Sequence, residues 1–248
     1  MQRFAVGVGD ARESKEVLCS EPSLCYAFMG WLSLTLQTTR RVENSMEKED
    51  KFYQACINLP QPEERDGRNE LSVPELVEVA RLRDDGNAQD AIDYARGLIR
   101  TFPDFDLIYY MIAHIYYQKE HPAEAKQVAV EGMGACKRRY RLYAVAGLAE
   151  FDMKKLPEAL VWWSRSVVAQ CAIVEFQDHD PFLHLAHAAE IVGSKRPSEA
   201  LFEMADVIEP GAYRLTADSL MRLNPLRKSW VSEPFRLVLK ELEQKLHS

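Results

Sequence analysis

Little in this chain could serve as a staple, a pore or a nucleic-acid cradle. The five cysteines, Cys19, Cys25, Cys56, Cys136 and Cys171, are odd in number and form no Cys-x-x-Cys pair. This excludes a disulfide framework as the organising device and points to a reducing compartment. Glycine (11) and proline (12) fall in no collagen-like or low-complexity pattern. An excess of positive charge is missing as well. With 31 basic against 38 acidic residues the net charge is -7, so nucleic acid and anionic membranes are disfavoured partners and basic proteins are favoured. From Leu24 to Leu36 the chain is almost uncharged, but these 13 residues fall short of the roughly 20 that a membrane-spanning helix needs. Asp10, Glu13, Glu16 and Glu21 precede that run, unlike the basic start of a signal peptide. A soluble, cytoplasmic protein without membrane insertion is expected.

Enzyme signatures are also lacking. Gly7-Val8-Gly9 has no third glycine, and no Gly-x4-Gly-Lys-Ser/Thr, Gly-x-Ser-x-Gly or His-Glu-x2-His occurs. The expectation is a non-enzyme with no cofactor and no resident metal. A hydrophobic content of 47% nevertheless demands a packed core.

What is present is a period. Tyr109 returns as Tyr143, Ala113 as Gly147, Glu124 as Glu158 and Ala125 as Ala159, each after 34 residues, and Ala91 lies 34 before Ala125. One unit reads Tyr109-x2-Ile112-Ala113-x2-Tyr116, then Ala125-x3-Ala129; the next reads Tyr143-x2-Ala146-Gly147-x2-Glu150, then Ala159-x3-Trp163. This arrangement of large and small residues resembles the tetratricopeptide repeat, a pair of antiparallel helices packed through small side chains at their crossing. Only small residues allow helix axes to approach to about 8 to 10 Å.

The resemblance implies an all-α fold, a right-handed superhelix of about four helical hairpins over residues 72–210. In the first hairpin Ala91-x3-Ala95 fits, but Glu75 and Glu78 stand where apolar residues belong. A turn one residue shorter would bring in Leu76, Val79 and Ala80. In the fourth, Ala188 and Ala200-x3-Met204 fit, with a step of 41 from Ala159 that implies a longer preceding helix, Pro157 to Phe176. Punctuation agrees with the register: Ser72-x-x-Glu75 reads as a capping box, Pro122 and Pro157 open second helices, and Asp180 is an N-cap ahead of Pro181.

Outside the array, residues 1–23 show no period that would order them. Residues 24–71 hold an apolar helix from Leu24, a second helix from Glu47 to Leu59 with Phe52, Tyr53, Cys56 and Ile57 on one side, and a Pro- and Gly-containing linker. The Leu24–Leu36 stretch is either a cap on the array or a docking element for a partner or a second copy; alternatively the native start is Met29 or Met46. Residues 211–248 carry a helix from Tyr213 to Leu223, a break at Asn224-Pro225, and a final helix capped by Ser232. In that helix Phe235, Val238, Leu239, Leu242 and Leu246 share a face, suited to covering a solenoid end.

In the tetratricopeptide family the first helix of each hairpin lines a concave surface where ligands lie. The inward positions implied by the resemblance are Leu107, Tyr110, His114 and Tyr117; then Arg141, Ala144, Leu148 and Phe151; then Phe182, Leu185 and Ala189. An apolar surface there suits a protein or peptide partner with hydrophobic anchors, and the expected role is an interaction scaffold or adaptor. The apolar groove also resembles that of tetratricopeptide chaperones of secretion systems, which shield a client's hydrophobic segments. A competing reading has residues 24–57 folded into the groove. The family's carboxylate clamp of Lys, Asn, Asn, Lys and Arg is not matched, since its positions hold Leu76, Ala80, Met111, Arg141 and Val145.

Two clusters offer other chemistry. His179, His184 and His187, with Asp178 and Asp180, suggest a metal-dependent enzyme as an alternative, although a zinc site needs convergent ligands and His184 and His187 fall at packing positions. Lys137-Arg138-Arg139-Tyr140-Arg141 is the densest basic run, read as cations offsetting a helix end and not as an RNA patch.

Overall fold

The computed structural model describes residues 47–48, 50–57, 74–171, 178–211 and 232–247. Several expectations lie outside them: those for residues 1–36, the Ser72 cap, the linker, the Tyr213–Leu223 helix and the Asn224-Pro225 break. From Asp50 onward the chain forms one compact unit. Among the described residues all regular structure is helical, with no strand. The helices are α1 (residues 50–57), α2 (Pro74–Asp84), α3 (Ala88–Ile99), α4 (Asp106–Gln118), α5 (Pro122–Ala135), α6 (Tyr140–Asp152), α7 (Leu156–Cys171), α8 (Asp180–Ile191), α9 (Lys195–Ile208) and α10 (Ser232–Leu246).

Four connections, α2 to α3, α4 to α5, α6 to α7 and α8 to α9, are three residues long, which forces each second helix back along the first. Each is closed the same way. A left-handed residue ends the first helix: Gly86 (φ 83), Glu120 (φ 62), Lys154 (φ 64) and Gly193 (φ 76). The amide of the next residue then donates to a carbonyl five positions back, Asn87 to Leu82 at 2.9 Å, His121 to Tyr116 at 3.0 Å, Lys155 to Glu150 at 2.8 Å and Ser194 to Ala189 at 2.9 Å. This is the Schellman closure, in which glycine suits the left-handed site. Glu120 and Lys154 lack that freedom. Glu120→Gly and Lys154→Gly are therefore each expected to stabilise the fold by about 0.5 to 1 kcal/mol, read as a higher urea midpoint with unchanged m-value.

The small residues do what the repeat requires. Ala91, Ala113, Ala125 and Ala159 are wholly buried, Ala200 is nearly so, and Gly147 is buried. At Gly147 the edge of the Trp163 indole occupies the place a Cβ would take, and at Gly132 a Cβ would meet Tyr109 at 2.8 Å and Leu142 at 3.0 Å.

Two register assignments need correction. The α2–α3 turn is not shortened: it has the geometry of the α4–α5 turn, with Gly86 lying 34 residues before Glu120. The difference is inside α2, where buried Val79 takes the place of Ala113 while Glu78 turns outward to pair with Arg81 at 2.7 Å. In the fourth hairpin the turn falls 39 residues after its predecessor, since Ala189 follows Glu150 by that number. Ala186 and Ser198, not Ala188 and Ala200, then match Gly147 and Ala159. Both are buried, and the Ser198 hydroxyl donates to the Ala186 carbonyl at 3.0 Å across the crossing. A serine serves as the small residue because α8 offers it an acceptor. Phe182, Leu185 and Ala189 consequently lie in the core, fully buried, and not on an inner surface.

The interior has two main apolar clusters. One gathers side chains of α2 to α6, among them Leu76, Ile92, Ile108, Ile112, Val128 and Val145. The other gathers Leu160, Trp163, Phe182, Leu183, Leu201 and the α10 residues Phe235, Val238, Leu239 and Leu242. Helix α10 packs on α9 and α7 with the face its spacing predicts. Cys56 of α1 is buried in the second cluster, with Phe52, Tyr53 and Ile57 against it, and Arg165 Nε on α7 donates to the Ala55 carbonyl at 2.5 Å. Burial pushes the Cys56 thiol up to about 12, so it behaves as a small apolar side chain.

Candidate functional site

Helix α4 carries two adjacent tyrosine pairs, and in the first of them the members divide. Tyr109 goes into the core and donates its hydroxyl to the Pro103 carbonyl at 3.0 Å. Tyr110, one position on, turns to another face and joins His114 and Tyr117 at i, i+4 and i+7 spacing. The Tyr110 and His114 rings stack at 5.6 Å between centroids, and His114 and Tyr117 are tilted at 6.5 Å.

Facing this ladder, Ala144, Val145 and Leu148 of α6, the buried Trp163 of α7, and Asp178, Asp180, Pro181 and His184 at the start of α8 enclose a cavity of about 20 Å³ together with Tyr110 and His114. That is room for one water-sized group, far below the 300 to 1,000 Å³ of a typical small-molecule pocket. A buried chain of hydrogen bonds fixes the α8 side. Ser166 Oγ donates to the Tyr140 carbonyl at 2.8 Å, Gln170 Nε2 donates to Ser166 Oγ at 3.2 Å, and the Asp178 amide donates to Gln170 Oε1 at 2.5 Å. Asp178 Oδ1 then accepts from the Asp180 amide at 3.1 Å. Asp180 is thus the first residue of α8 and not its N-cap; the expected cap interaction comes from Asp178.

Burial dominates the protonation of this site. It raises the Tyr110 hydroxyl to about 12, assisted by the charges of Asp178 and Asp180, and lowers His114. It also lowers His184 to about 4, and it raises Asp178 to about 6 with Asp180 adding to the effect. Because the folded-state pKa of Asp178 is raised, its carboxylate destabilises the fold above about pH 6 and costs nothing below about pH 4. Asp178→Asn, which keeps the acceptor for the Asp180 amide, is expected to stabilise the protein by about 1 to 2 kcal/mol at pH 8. The gain should vanish in melts near pH 4. His184 acts oppositely: kept neutral by burial, it withdraws stability as pH falls from 6.5 towards about 4.

The remaining expected inward residues divide. Leu107, Tyr110, His114, Tyr117, Leu148 and Phe151 are partly buried. Phe151 leans on Trp163 at 5.8 Å. Arg141 is spent on the buried Asp106 at 3.6 Å and on the Tyr140 ring at 4.9 Å. Phe182 and Leu185 are core residues, as shown above. The basic run is not a helix end; it forms the α5–α6 link and the start of α6, where Arg138 joins Arg141 at Asp106.

The three histidines do not assemble a metal site. His184 stacks on Trp163 at 4.4 Å and His187 meets Phe202 edge-on at 4.8 Å. Among the described residues, the potential ligands within 4.8 Å of one another are Asp178, His179 and Asp180. His179 is already held by Glu209 at 2.9 Å and Asp180 at 3.2 Å. Sequence reasoning missed Val145, Trp163, Asp178, Asp180 and Pro181 as cavity residues: Val145 adjoins the expected Ala144 on α6, Trp163 reaches the cavity from α7, and the others come from the start of α8.

Comparison with family models, curated proteins and solved structures gives no match to this chain. No described helix is long and apolar enough to cross a membrane.

Proposed function

We propose that the chain is a tetratricopeptide-like superhelix, an interaction scaffold whose inner face takes a segment of a partner protein through hydrophobic anchors. One observation carries this reading: along α4 the Tyr110 ring stacks on His114, which meets Tyr117 at a tilt, and all three are only partly buried where Tyr109 and Ile112 are core residues. Half-buried aromatics in contact with one another present large apolar area at little entropic cost, the usual composition of a binding hot spot. The cavity beside the ladder, about 20 Å³, is itself too small for a metabolite.

The test is fluorescence-polarisation binding of labelled amphipathic peptides bearing Leu or Phe anchors. Tyr110→Ala with Tyr117→Ala is expected to weaken binding at least 30-fold, about 2 kcal/mol, while the thermal melt stays cooperative. Unchanged affinity in the folded double variant would remove the ladder from the interface. Selectivity for one peptide marks an adaptor; equal affinity for unrelated apolar peptides marks a client-shielding chaperone.

A further inference from the structure

Resting on the reading just given, we infer that the cavity between α4, α6 and α8 is a subsite for a primary ammonium, the tip of a lysine side chain in the bound segment. Its walls combine the two features that favour a cation. Asp178 and Asp180 line the cavity from the start of α8, and the aromatic side chains Tyr110, stacked on His114, and His184, stacked on Trp163, line it from α4 and α8. His114 and His184 are kept neutral by burial and add no opposing charge. The nearby Arg141 lies against Asp106 and Tyr140, and Arg83 pairs with Asp84 at 2.8 Å. His179 holds Asp180 through Nε2 at 3.2 Å but also faces Glu209, so it is shared between carboxylates. The start of α8 contributes roughly half a positive charge against a cation, which the paired carboxylates outweigh.

Size sharpens the assignment. About 20 Å³ accommodates one water-sized group. An ammonium is that size; a planar guanidinium or a trimethylammonium is several times larger. The aliphatic stem of the lysine would lie along Tyr110, His114 and Leu148, as such stems do on apolar surfaces. A bound ammonium would also offset, by its opposite charge, the burial that raises Asp178 to about 6.

Two arms test this with the full chain. In the first, n-butylammonium, n-butylguanidinium, n-butyltrimethylammonium and n-butanol are titrated while the ring-proton NMR signals of His114 and His184 are followed. Saturable shifts with n-butylammonium, at least tenfold weaker with the other cations and absent with the alcohol, are expected, and Asp178→Asn with Asp180→Asn should abolish them. No response, equal response to all three cations, or a response that survives the double variant overturns the ammonium subsite. The comparison between cations needs no variant. In the second arm, an apolar-anchored peptide carrying lysine is compared with its norleucine twin. A five- to tenfold preference for lysine, lost in the double variant, supports the subsite. Equal binding of the twins overturns it and leaves the groove intact, whereas n-butylammonium binding without any peptide binding upholds the subsite and removes the groove.

Discussion

Asp106→Ala is expected to cost about 3 to 5 kcal/mol and to lower the melting temperature by about 10 °C. Asp106 opens α4 with its side chain fully buried, and its carboxylate lies 3.9 Å from Arg138 Nε and 3.6 Å from Arg141 Nη1. Both guanidinium groups are themselves nearly buried and stack about Tyr140, at 5.7 and 4.9 Å from its ring. Deleting this buried anion strips charge compensation from two nearly buried guanidinium groups, and that penalty exceeds the loss of the attraction itself. Asp106→Asn keeps the shape and should lose most of the same stability. Arg138→Ala should cost less, because Arg141 still neutralises the carboxylate. Urea denaturation of the three variants orders them; a loss below about 1 kcal/mol for Asp106→Ala would show that the cluster contributes little to folding.

Gly147→Ala should be the most damaging addition of a single methyl in the repeat array, with a net loss of about 2 kcal/mol. In an exposed helix the same change gains about 1 kcal/mol from backbone entropy. Gly97 and Gly134, whose added Cβ would meet nothing within 4 Å, provide that comparison within this protein. At Gly147 the new methyl overlaps the indole of Trp163, which is wholly buried and stacked on His184, and therefore has no low-energy route aside. Opposite signs for Gly147→Ala and Gly134→Ala in denaturant midpoints are the expected result. Trp163→Phe should recover part of the loss in the double variant. If both glycine variants are stabilised equally, the α6–α7 crossing is looser than the packing described above.

These two positions show how far the sequence could be read. Gly147 and Trp163 stood out because Gly147 repeats Ala113, and Ala159-x3-Trp163 repeats Ala125-x3-Ala129, after 34 residues; the indole lying over Gly147 is what the structure adds. The fourth hairpin was misread for the converse reason. Alanines at 188 and 200 invited the alignment, while the true crossing uses Ala186 with a serine whose hydroxyl is satisfied by a backbone carbonyl. A two-residue slip then moved Phe182 and Leu185 from the core to the surface, as a change of helical phase must. Glu75 and Glu78 misled in the first hairpin because they imitate a register shift that the conserved turn geometry rules out. The residues of the aromatic ladder were named by the register that the tetratricopeptide resemblance implies. The carboxylates opposite it were not, since Asp178 is brought to Tyr110 by Gln170 and Ser166 through contacts that no local pattern encodes.

The two apolar clusters have a mechanical consequence. Helix α6 feeds both, with Leu142 and Val145 on one side and Leu148 and Phe151 on the other, so the halves are joined much as two pages are joined by a spine. Tyr110 belongs to one page and His184 to the other. A guest touching both would tie the pages together from outside, adding a link beside the spine while leaving the packing within each page unaltered.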